Sequence, residues 1–199
     1  MLAKLLPGLH TLYTDHSVAN YYLTSRGLVQ IASSAAQLTE LHIGYNNRLN
    51  ETSFQHLFCS GPPLRKLVVS SNRDVFSHVD RLAESLQFLR VNEYGPSKGM
   101  LGHQSMQAIG RLVNLKSLVI YGGENSMPQD FFNMVARGQL LKLRFLHLKM
   151  SLVTSENVKI VMMKCPELQE LRLTRGRASL DFARVVSTSL QILHISETR

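Results

Sequence analysis

The stretch Cys165-Pro166-Glu167-Leu168-Gln169-Glu170-Leu171-Arg172-Leu173 contains the pattern that the rest of the chain repeats. A helix is predicted to end at Cys165, because Pro166 lacks the backbone N–H that a continuing helix needs. The leucines that follow are spaced by three residues and then by two, so the hydrophobic period changes from that of a helix to that of a strand. The stretch therefore predicts a helix, a turn and a short strand with one leucine-lined face.

The signature Leu-x-x-Leu-x-(Leu/Ile/Val/Thr) occurs eight times in the chain. Its first position is Leu9, Leu38, Leu64, Leu86, Leu115, Leu143, Leu168 and Leu190. Its second position is Leu12, Leu41, Leu67, Leu89, Leu118, Leu146, Leu171 and Leu193. Its third position is Thr14, Ile43, Val69, Val91, Ile120, Leu148, Leu173 and Ile195. Eight occurrences in series indicate a structural repeat.

The intervals between successive first leucines are 29, 26, 22, 29, 28, 25 and 22 residues. Leucine-rich repeats have periods of about 20 to 29 residues, and the chain resembles that family. The resemblance implies an α/β fold, a right-handed solenoid with about eight parallel strands on its concave face and helices on its convex face. Because each repeat of a solenoid packs on its neighbours, we expect residues 1–199 to form a single leucine-rich repeat domain. We also expect it to be a fragment without terminal capping units.

Helices are predicted between the repeated strand motifs. The apolar spacing places them at residues 18–36, 53–58, 75–86, 104–112, 128–136, 156–164 and 180–186. Thr52 and Gln55 have the spacing of a capping box at the start of the second of these helices. A glycine-containing loop at residues 92–102 lacks the Gly-Lys-Ser/Thr ending of a P-loop, which favours an inserted surface loop over a phosphate site.

The unit at residues 153–173, with its Cys165-Pro166 pair, resembles the cysteine-containing subfamily of leucine-rich repeats. That subfamily is best known from F-box/leucine-rich-repeat proteins, the substrate receptors of SCF-type (Skp1-cullin-F-box) ubiquitin ligases. The resemblance implies a protein–protein interaction module that recognises a substrate. SCF components would bind only through an F-box, a segment not present here. The alternative is a non-ubiquitin scaffold or regulator, such as a ribonuclease-inhibitor-like module or an innate-immune receptor fragment, because fold does not fix function.

Residues between the leucines are predicted to project from the concave face, since side chains alternate along a strand. The row before the second leucine is Thr11, Glu40, Lys66, Phe88, Ser117, Phe145, Glu170 and Ile192. The row after it is Tyr13, His42, Val68, Arg90, Val119, His147, Arg172 and His194. A third row, beyond the strand centre, is Asp15, Gly44, Ser70, Asn92, Tyr121, Lys149, Thr174 and Ser196.

A partner-binding surface is predicted on the fourth to seventh repeats. Aromatic and arginine side chains are the usual energetic anchors of protein interfaces, and several of them share these strands. The predicted surface consists of Phe88, Arg90, Tyr121, Phe145, His147, Lys149 and Arg172. The alternative is that these side chains only pack against one another as cross-strand neighbours.

The charge of the chain favours acidic partners. The net charge is +8, and residues 101–199 carry thirteen Lys and Arg against seven Asp and Glu. A basic surface of this kind attracts acidic protein segments, whereas nucleic acid is a less favoured partner. We therefore expect a protein target on the concave face and favour an acidic one.

Catalytic and metal-binding motifs are not found in the sequence. His42, His147 and His194 share a row, but Arg172 lies between the last two and would repel a cation. Neither His-x-x-x-His nor Cys-x-x-Cys occurs, and no nucleophile elbow is found. We predict that the chain is not an enzyme and that it holds no metal or cofactor.

The cysteines and the hydropathy suggest an intracellular protein. Cys59 and Cys165 lie four repeats apart, too far for a disulfide, so both are expected to be reduced and buried. No run of roughly 18 apolar residues could span a membrane. We expect no membrane partner and a cytoplasmic or nuclear location.

Overall fold

The fold is an α/β arrangement built on one parallel sheet. The computed structural model describes residues 7–14, 23–46, 48–70, 73–93, 101–122, 128–149, 153–175 and 189–197. Within them the eight strands are β1 Thr11–Thr14, β2 Glu40–Ile43, β3 Lys66–Ser70, β4 Phe88–Asn92, β5 Ser117–Tyr121, β6 Phe145–Lys149, β7 Glu170–Arg175 and β8 Ile192–Glu197. They form a single sheet in chain order, and every neighbouring pair is parallel. This confirms the α/β class and the eight parallel strands, in an arrangement compatible with a solenoid.

The register of the sheet places the leucines of the repeated motif in continuous buried rows. Leu67 pairs with Leu89, Leu89 with Leu118, and Leu118 with Leu146. These four side chains are 0% exposed. At the end of the row, on β8, the leucine is less buried: Leu193 is 42% exposed. Because a slip of one residue would turn every leucine toward solvent, this burial fixes the register.

Helices cover the face of the sheet that carries the leucines. The α-helices in the described residues are α1 Ser25–Ser34, α2 Glu51–Ser60, α3 His103–Gly110, α4 Pro128–Ala136 and α5 Ser155–Lys164. Apolar residues on their inner sides, such as Leu28, Phe54, Ile109 and Phe131, join the leucines in one core cluster. Adjacent helices also contact each other, as α1 does α2 and α4 does α5. The opposite face of the sheet, which we call the open face, carries the alternate residues of each strand.

The segment predicted as a helix over residues 75–86 instead forms two 3₁₀ helices, Arg73–Ser77 and Val79–Leu82. This repeat has one of the two shortest intervals, 22 residues between first leucines. A 3₁₀ helix rises about 2.0 Å per residue against about 1.5 Å for an α-helix, so fewer residues span the same distance. The prediction of helical spacing was right about the buried residues, which include Val75, Phe76 and Val79, and wrong about the helix type.

The start of α2 also differs from the prediction. The N-cap is Asn50, whose Oδ1 accepts a hydrogen bond from the Ser53 backbone N–H at 3.1 Å. The Ser53 hydroxyl oxygen in turn accepts from the Asn50 N–H at 3.2 Å, so Asn50 and Ser53 form the capping box expected of Thr52 and Gln55. Asparagine is a stronger N-cap than threonine, and its use lengthens the helix by two residues at its start.

The first predicted helix, residues 18–36, is too long: α1 begins at Ser25, because the Thr24 side chain caps it by accepting from the Gly27 N–H, and it ends at Ser34. Residues 18–22 lie outside the described residues.

The other predicted helices lie close to those observed. The helix at residues 128–136 has the expected bounds, and those at 104–112 and 156–164 are shifted by one or two residues. Residues 180–186 and most of the predicted loop, residues 94–100, lie outside the described residues. Among the helices that the structure describes, none combines the length and the apolar character needed to cross a membrane.

The two cysteines differ in burial. Cys165 is 0% exposed and follows the last residue of α5, where its backbone N–H donates to the Val161 carbonyl. Cys59 is exposed, so the expectation that both are buried is wrong for it. The buried face of α2 contains Phe54, Leu57 and Phe58, and Cys59 falls beside that face. Both thiols are free.

Candidate functional site

The predicted binding residues lie on four adjacent strands of the open face. The register pairs Phe88 with Ser117 and Ser117 with Phe145 in one row. In the next row His147 pairs directly with Arg172, and Val119 separates His147 from Arg90. The third row brings together Tyr121 and Lys149. The complete predicted set, Phe88, Arg90, Tyr121, Phe145, His147, Lys149 and Arg172, therefore occupies β4 to β7.

Arg90, Tyr121 and His147 are in mutual contact through the tyrosine ring. The Arg90 guanidinium carbon lies 4.7 Å from the centre of the Tyr121 ring. The His147 ring meets the same ring edge-on, with centroids 5.0 Å apart and an interplanar angle of 87°. The Tyr121 hydroxyl is 3.4 Å from His147 Nδ1, and His147 Nε2 is 3.3 Å from the Thr174 hydroxyl. The imidazole is thus held from both sides.

A second cation–aromatic pair lies beside the first. The Arg172 guanidinium carbon is 5.5 Å from the centre of the Phe145 ring. Arg172 Nε also donates to a carboxylate oxygen of Glu170, two residues earlier on the same strand. The Arg172 side chain is 47% exposed, so a ligand can approach it from solvent. We refer to Arg90, Tyr121, Phe145, His147 and Arg172 together as the central cluster.

Burial and neighbouring cations keep His147 neutral. The largest effect on the pKa of His147 is burial, which lowers it, and the positive charges of Arg172 and Arg90 lower it further. His194 acts in the same direction, and the Glu170 carboxylate opposes these effects in part. Since an ordinary histidine has a pKa of about 6.5, His147 is uncharged at neutral pH. In the free protein it can offer one donor and one acceptor nitrogen.

A smaller group of polar and aromatic side chains lies on β1 to β3, where the sequence predicted no site. The rings of Tyr13 and His42 have centroids 4.1 Å apart, and Tyr13 is 65% exposed. Lys66 forms an ion pair with Glu40 at 3.2 Å and lies 5.5 Å from the centre of the Phe88 ring. These residues occupy the same rows of the open face as the predicted set. The spacing of the repeated motif therefore contained enough information to predict this second group as well.

His42 in this group has a buried, unpartnered nitrogen. Its Nε2 lies 3.9 Å from a Glu40 carboxylate oxygen, beyond hydrogen-bonding distance, and has no hydrogen-bond partner in the structure. The pKa of His42 is lowered first by burial and then by the charge of Lys66, with the Glu40 carboxylate opposing. His42 is therefore also neutral at pH 7.

Four residues in the rows expected to face solvent are buried instead, namely Gly44, Ser70, Asn92 and Val119. Val119 is 6% exposed, and it lies in register between the larger side chains of Arg90 and His147. Asn92 and Ser70 are 2% and 0% exposed. Asn92 donates to the Ser70 hydroxyl at 3.2 Å and accepts from Arg90 Nε at 2.9 Å, so its burial is compensated by hydrogen bonds. Asp15, in the same predicted row as Asn92, lies outside the described residues.

The chemistry of the open face suits recognition of anionic groups. Guanidinium groups bind carboxylates through two parallel hydrogen bonds, and here two of them stack on aromatic rings. Within the described part of the chain, no group of three or more His, Cys, Asp and Glu side chains is arranged to hold a metal ion. No protein-family model matches the chain, and no curated protein matches its sequence.

Proposed function

We propose that the chain is a leucine-rich repeat module that binds a protein partner on the open face of its sheet. The observation that carries this proposal is the pair of cation–aromatic stacks, Arg90 on Tyr121 and Arg172 on Phe145, side by side on that face. Parallel sheets usually have both faces covered, and aromatic and arginine anchors dominate the energetics of protein interfaces. A protein ligand would cover the stacks and remove them from water.

The assignment to leucine-rich repeats is supported by the agreement between motif and register. Each second leucine of the motif pairs with the next one along the sheet, from Leu12 to Leu193. In such a solenoid the open face is the concave surface. Because fold does not fix function, the cellular role requires separate support.

For that role we propose substrate recognition in an SCF-type ubiquitin ligase, in the cytoplasm or nucleus. Its support is the Cys165-Pro166 pair, in which Cys165 is fully buried directly after α5. Co-purification of Skp1 and a cullin with the full-length gene product would test it. The position after α2 that corresponds to Cys165 after α5 is Gly61, whose N–H donates to the Leu57 carbonyl. The cysteine of the motif is not repeated there, which favours the second candidate, a non-ubiquitin scaffold or regulator. Capture of partners without ligase components would support that candidate.

Binding through the open face can be tested with matched variants. Phe145→Ala and Arg172→Ala remove one stack, and truncation of such anchors typically costs about 2 kcal/mol or more of binding free energy. Lys159→Ala and Lys164→Ala remove positive charge from α5 on the helical side. Affinity capture with quantitative mass spectrometry should identify proteins that bind the wild type and the α5 variants but not the stack variants. Equal losses at both surfaces would refute the proposal, because net charge alone would then drive association.

A further inference from the structure

We infer that the partner presents an extended acidic segment, with carboxylates on alternate residues, and that His147 takes up a proton when this segment binds across β4 to β7. The inference rests on the proposed function and specifies the chemistry of the partner. It is argued from three observations: the spacing of Arg90 and Arg172, the charges around them, and the position of His147 between them.

The spacing of the arginines matches an extended chain. Arg90 and Arg172 occupy the same row, on β4 and β7, three strand spacings apart. With about 4.8 Å between strands, the two positions are separated by roughly 14 Å. An extended peptide rises about 3.4 Å per residue, so its first and fifth residues are also roughly 14 Å apart. The Arg90 guanidinium leans from its strand position toward Tyr121 on β5, and that of Arg172 toward Phe145 on β6. Glutamates at the first and fifth residues would therefore reach inward from the ends of the segment to meet them.

A third carboxylate on the same side of the peptide would fall near the centre of the cluster. The third residue of an extended segment lies roughly 7 Å from the first, between the positions of Val119 and His147. Val119 is small and buried, and Arg90 and His147 both contact the Tyr121 ring. A glutamate side chain there could accept a hydrogen bond from the Tyr121 hydroxyl, whose oxygen would in turn accept from Nδ1–H of a protonated His147.

The charges that surround this position favour an anion. On β4 the Arg90 guanidinium contacts the amide of Asn92 and the ring of Tyr121, neither of which carries a charge. On β7 the charge of Arg172 is partly balanced by Glu170. His194 on β8 lies in the same row as His147, beyond Arg172, and acts on it only electrostatically. The exposed Lys149 lies two residues after His147 on β6. The carboxylate of Glu170 is thus outnumbered by the cations of Arg90, Arg172 and Lys149.

Proton uptake follows from the environment of His147. In the free protein, burial and the two arginines lower the pKa of His147. A bound carboxylate adds a negative charge beside the imidazole, which favours the protonated form and raises that pKa. Between the free and bound pKa values the complex holds one more proton than the separate molecules. Affinity therefore increases as the pH falls toward the pKa of His147 in the free protein, which lies below the ordinary histidine value, by at most about tenfold per pH unit for one proton.

Two synthetic peptides provide the probe. The first has glutamate at positions 1, 3 and 5 of a five-residue core, with serine between, and the second has glutamine at the same positions. Isothermal titration at half-unit steps from pH 5.5 to 8.0, in buffers of different ionisation enthalpy, gives both Kd and the number of protons bound. We expect the glutamate peptide to bind more tightly at lower pH with uptake of up to one proton, and the glutamine peptide to bind at least tenfold more weakly.

Four single-residue variants identify which side chains are responsible for the proton uptake and for the affinity. His147→Gln should abolish proton uptake and leave the affinity near the high-pH value, whereas His42→Gln should leave uptake unchanged. His42 is the matched control because it shares the row and the lowered pKa but lies four strands away, on β2. Arg90→Gln should weaken binding at every pH. Arg90→Lys, which keeps the charge but loses the planar fork, should weaken it less. Circular dichroism confirms that each variant is folded.

Four outcomes would overturn the inference, and the last of them would overturn the proposed function as well. Proton uptake that persists in His147→Gln would exclude this histidine as the acceptor. Equal affinity for a peptide with three consecutive glutamates would exclude the alternate spacing. Failure of the glutamate peptide to bind, while a captured protein still depends on Phe145 and Arg172, would exclude the acidic segment and leave the proposed function intact. Loss of peptide binding in Lys159→Ala equal to that in Arg172→Ala would refute both.

Discussion

Substitution of Leu118 by alanine should strongly destabilise the chain. Leu118 is 0% exposed and lies between Leu89 and Leu146 in the central row of leucines. The change removes three buried carbons, and at about 0.8 kcal/mol for each the transfer free energy alone is roughly 2.4 kcal/mol. A cavity closed on both sides by neighbouring repeats adds to this, so we expect a total loss of about 3–5 kcal/mol in the free energy of unfolding.

Leu193 is the matched control, because it occupies the same row in β8 but is 42% exposed. With a little over half of its surface covered, the transfer loss for Leu193→Ala falls to roughly 1.4 kcal/mol, without a closed cavity. Urea denaturation followed by circular dichroism measures both changes from the shift in the midpoint. Equal losses for the two variants would refute the reasoning, since burial in the shared core would then not determine stability.

Three further predictions concern a helix cap, the two cysteines and the two histidines with lowered pKa values. Thr154→Ala removes the side-chain acceptor of the Asn157 N–H at the start of α5 and should cost about 1 kcal/mol of stability in urea denaturation, whereas Thr154→Ser should not. Cys59 should react quickly with a thiol reagent in the native protein, but Cys165 only after unfolding, because burial raises the pKa of the Cys165 thiol to about 12. Two fast-reacting thiols would contradict this. The pKa values of His42 and His147 are lowered in the folded chain, so below about pH 6.5 the unfolded state binds more protons and stability should fall as the pH decreases. A double substitution to glutamine should flatten this dependence in thermal melts.

The sheet could be predicted from the sequence because its requirements are the same in every repeat. The motif places leucine at two fixed positions, and a strand that buries them has only one register with its neighbours. The paired rows from Leu12 to Leu193 follow directly. The rows of the open face follow as well, because their residues are the alternate positions of the same strands.

Burial on the open face could not be predicted from alternation alone. Whether a side chain is covered there depends on the length and direction of its neighbours. Arg90 bends toward Asn92 and Tyr121 instead of extending into solvent, and the small Val119 beside it is buried. The 3₁₀ helices in residues 73–82 have a similar origin, since the distance that a connection must cover is set by the strands it joins.

The open face differs from the core in what folding requires of it. The buried rows require leucine or a similar apolar residue at nearly every position. On the open face, short polar residues in place of Phe145 and Arg172 would leave the strand pairing intact. Their stack is instead held together in partial contact with water, where a cation–π contact contributes about 0.5–1 kcal/mol. A ligand that covered the stack would remove that water and strengthen the contact toward about 2 kcal/mol. The arginine is also already positioned by Phe145 and Glu170, so less side-chain entropy is lost on binding. This preorganisation is the physical basis for placing the proposed binding surface on β4 to β7.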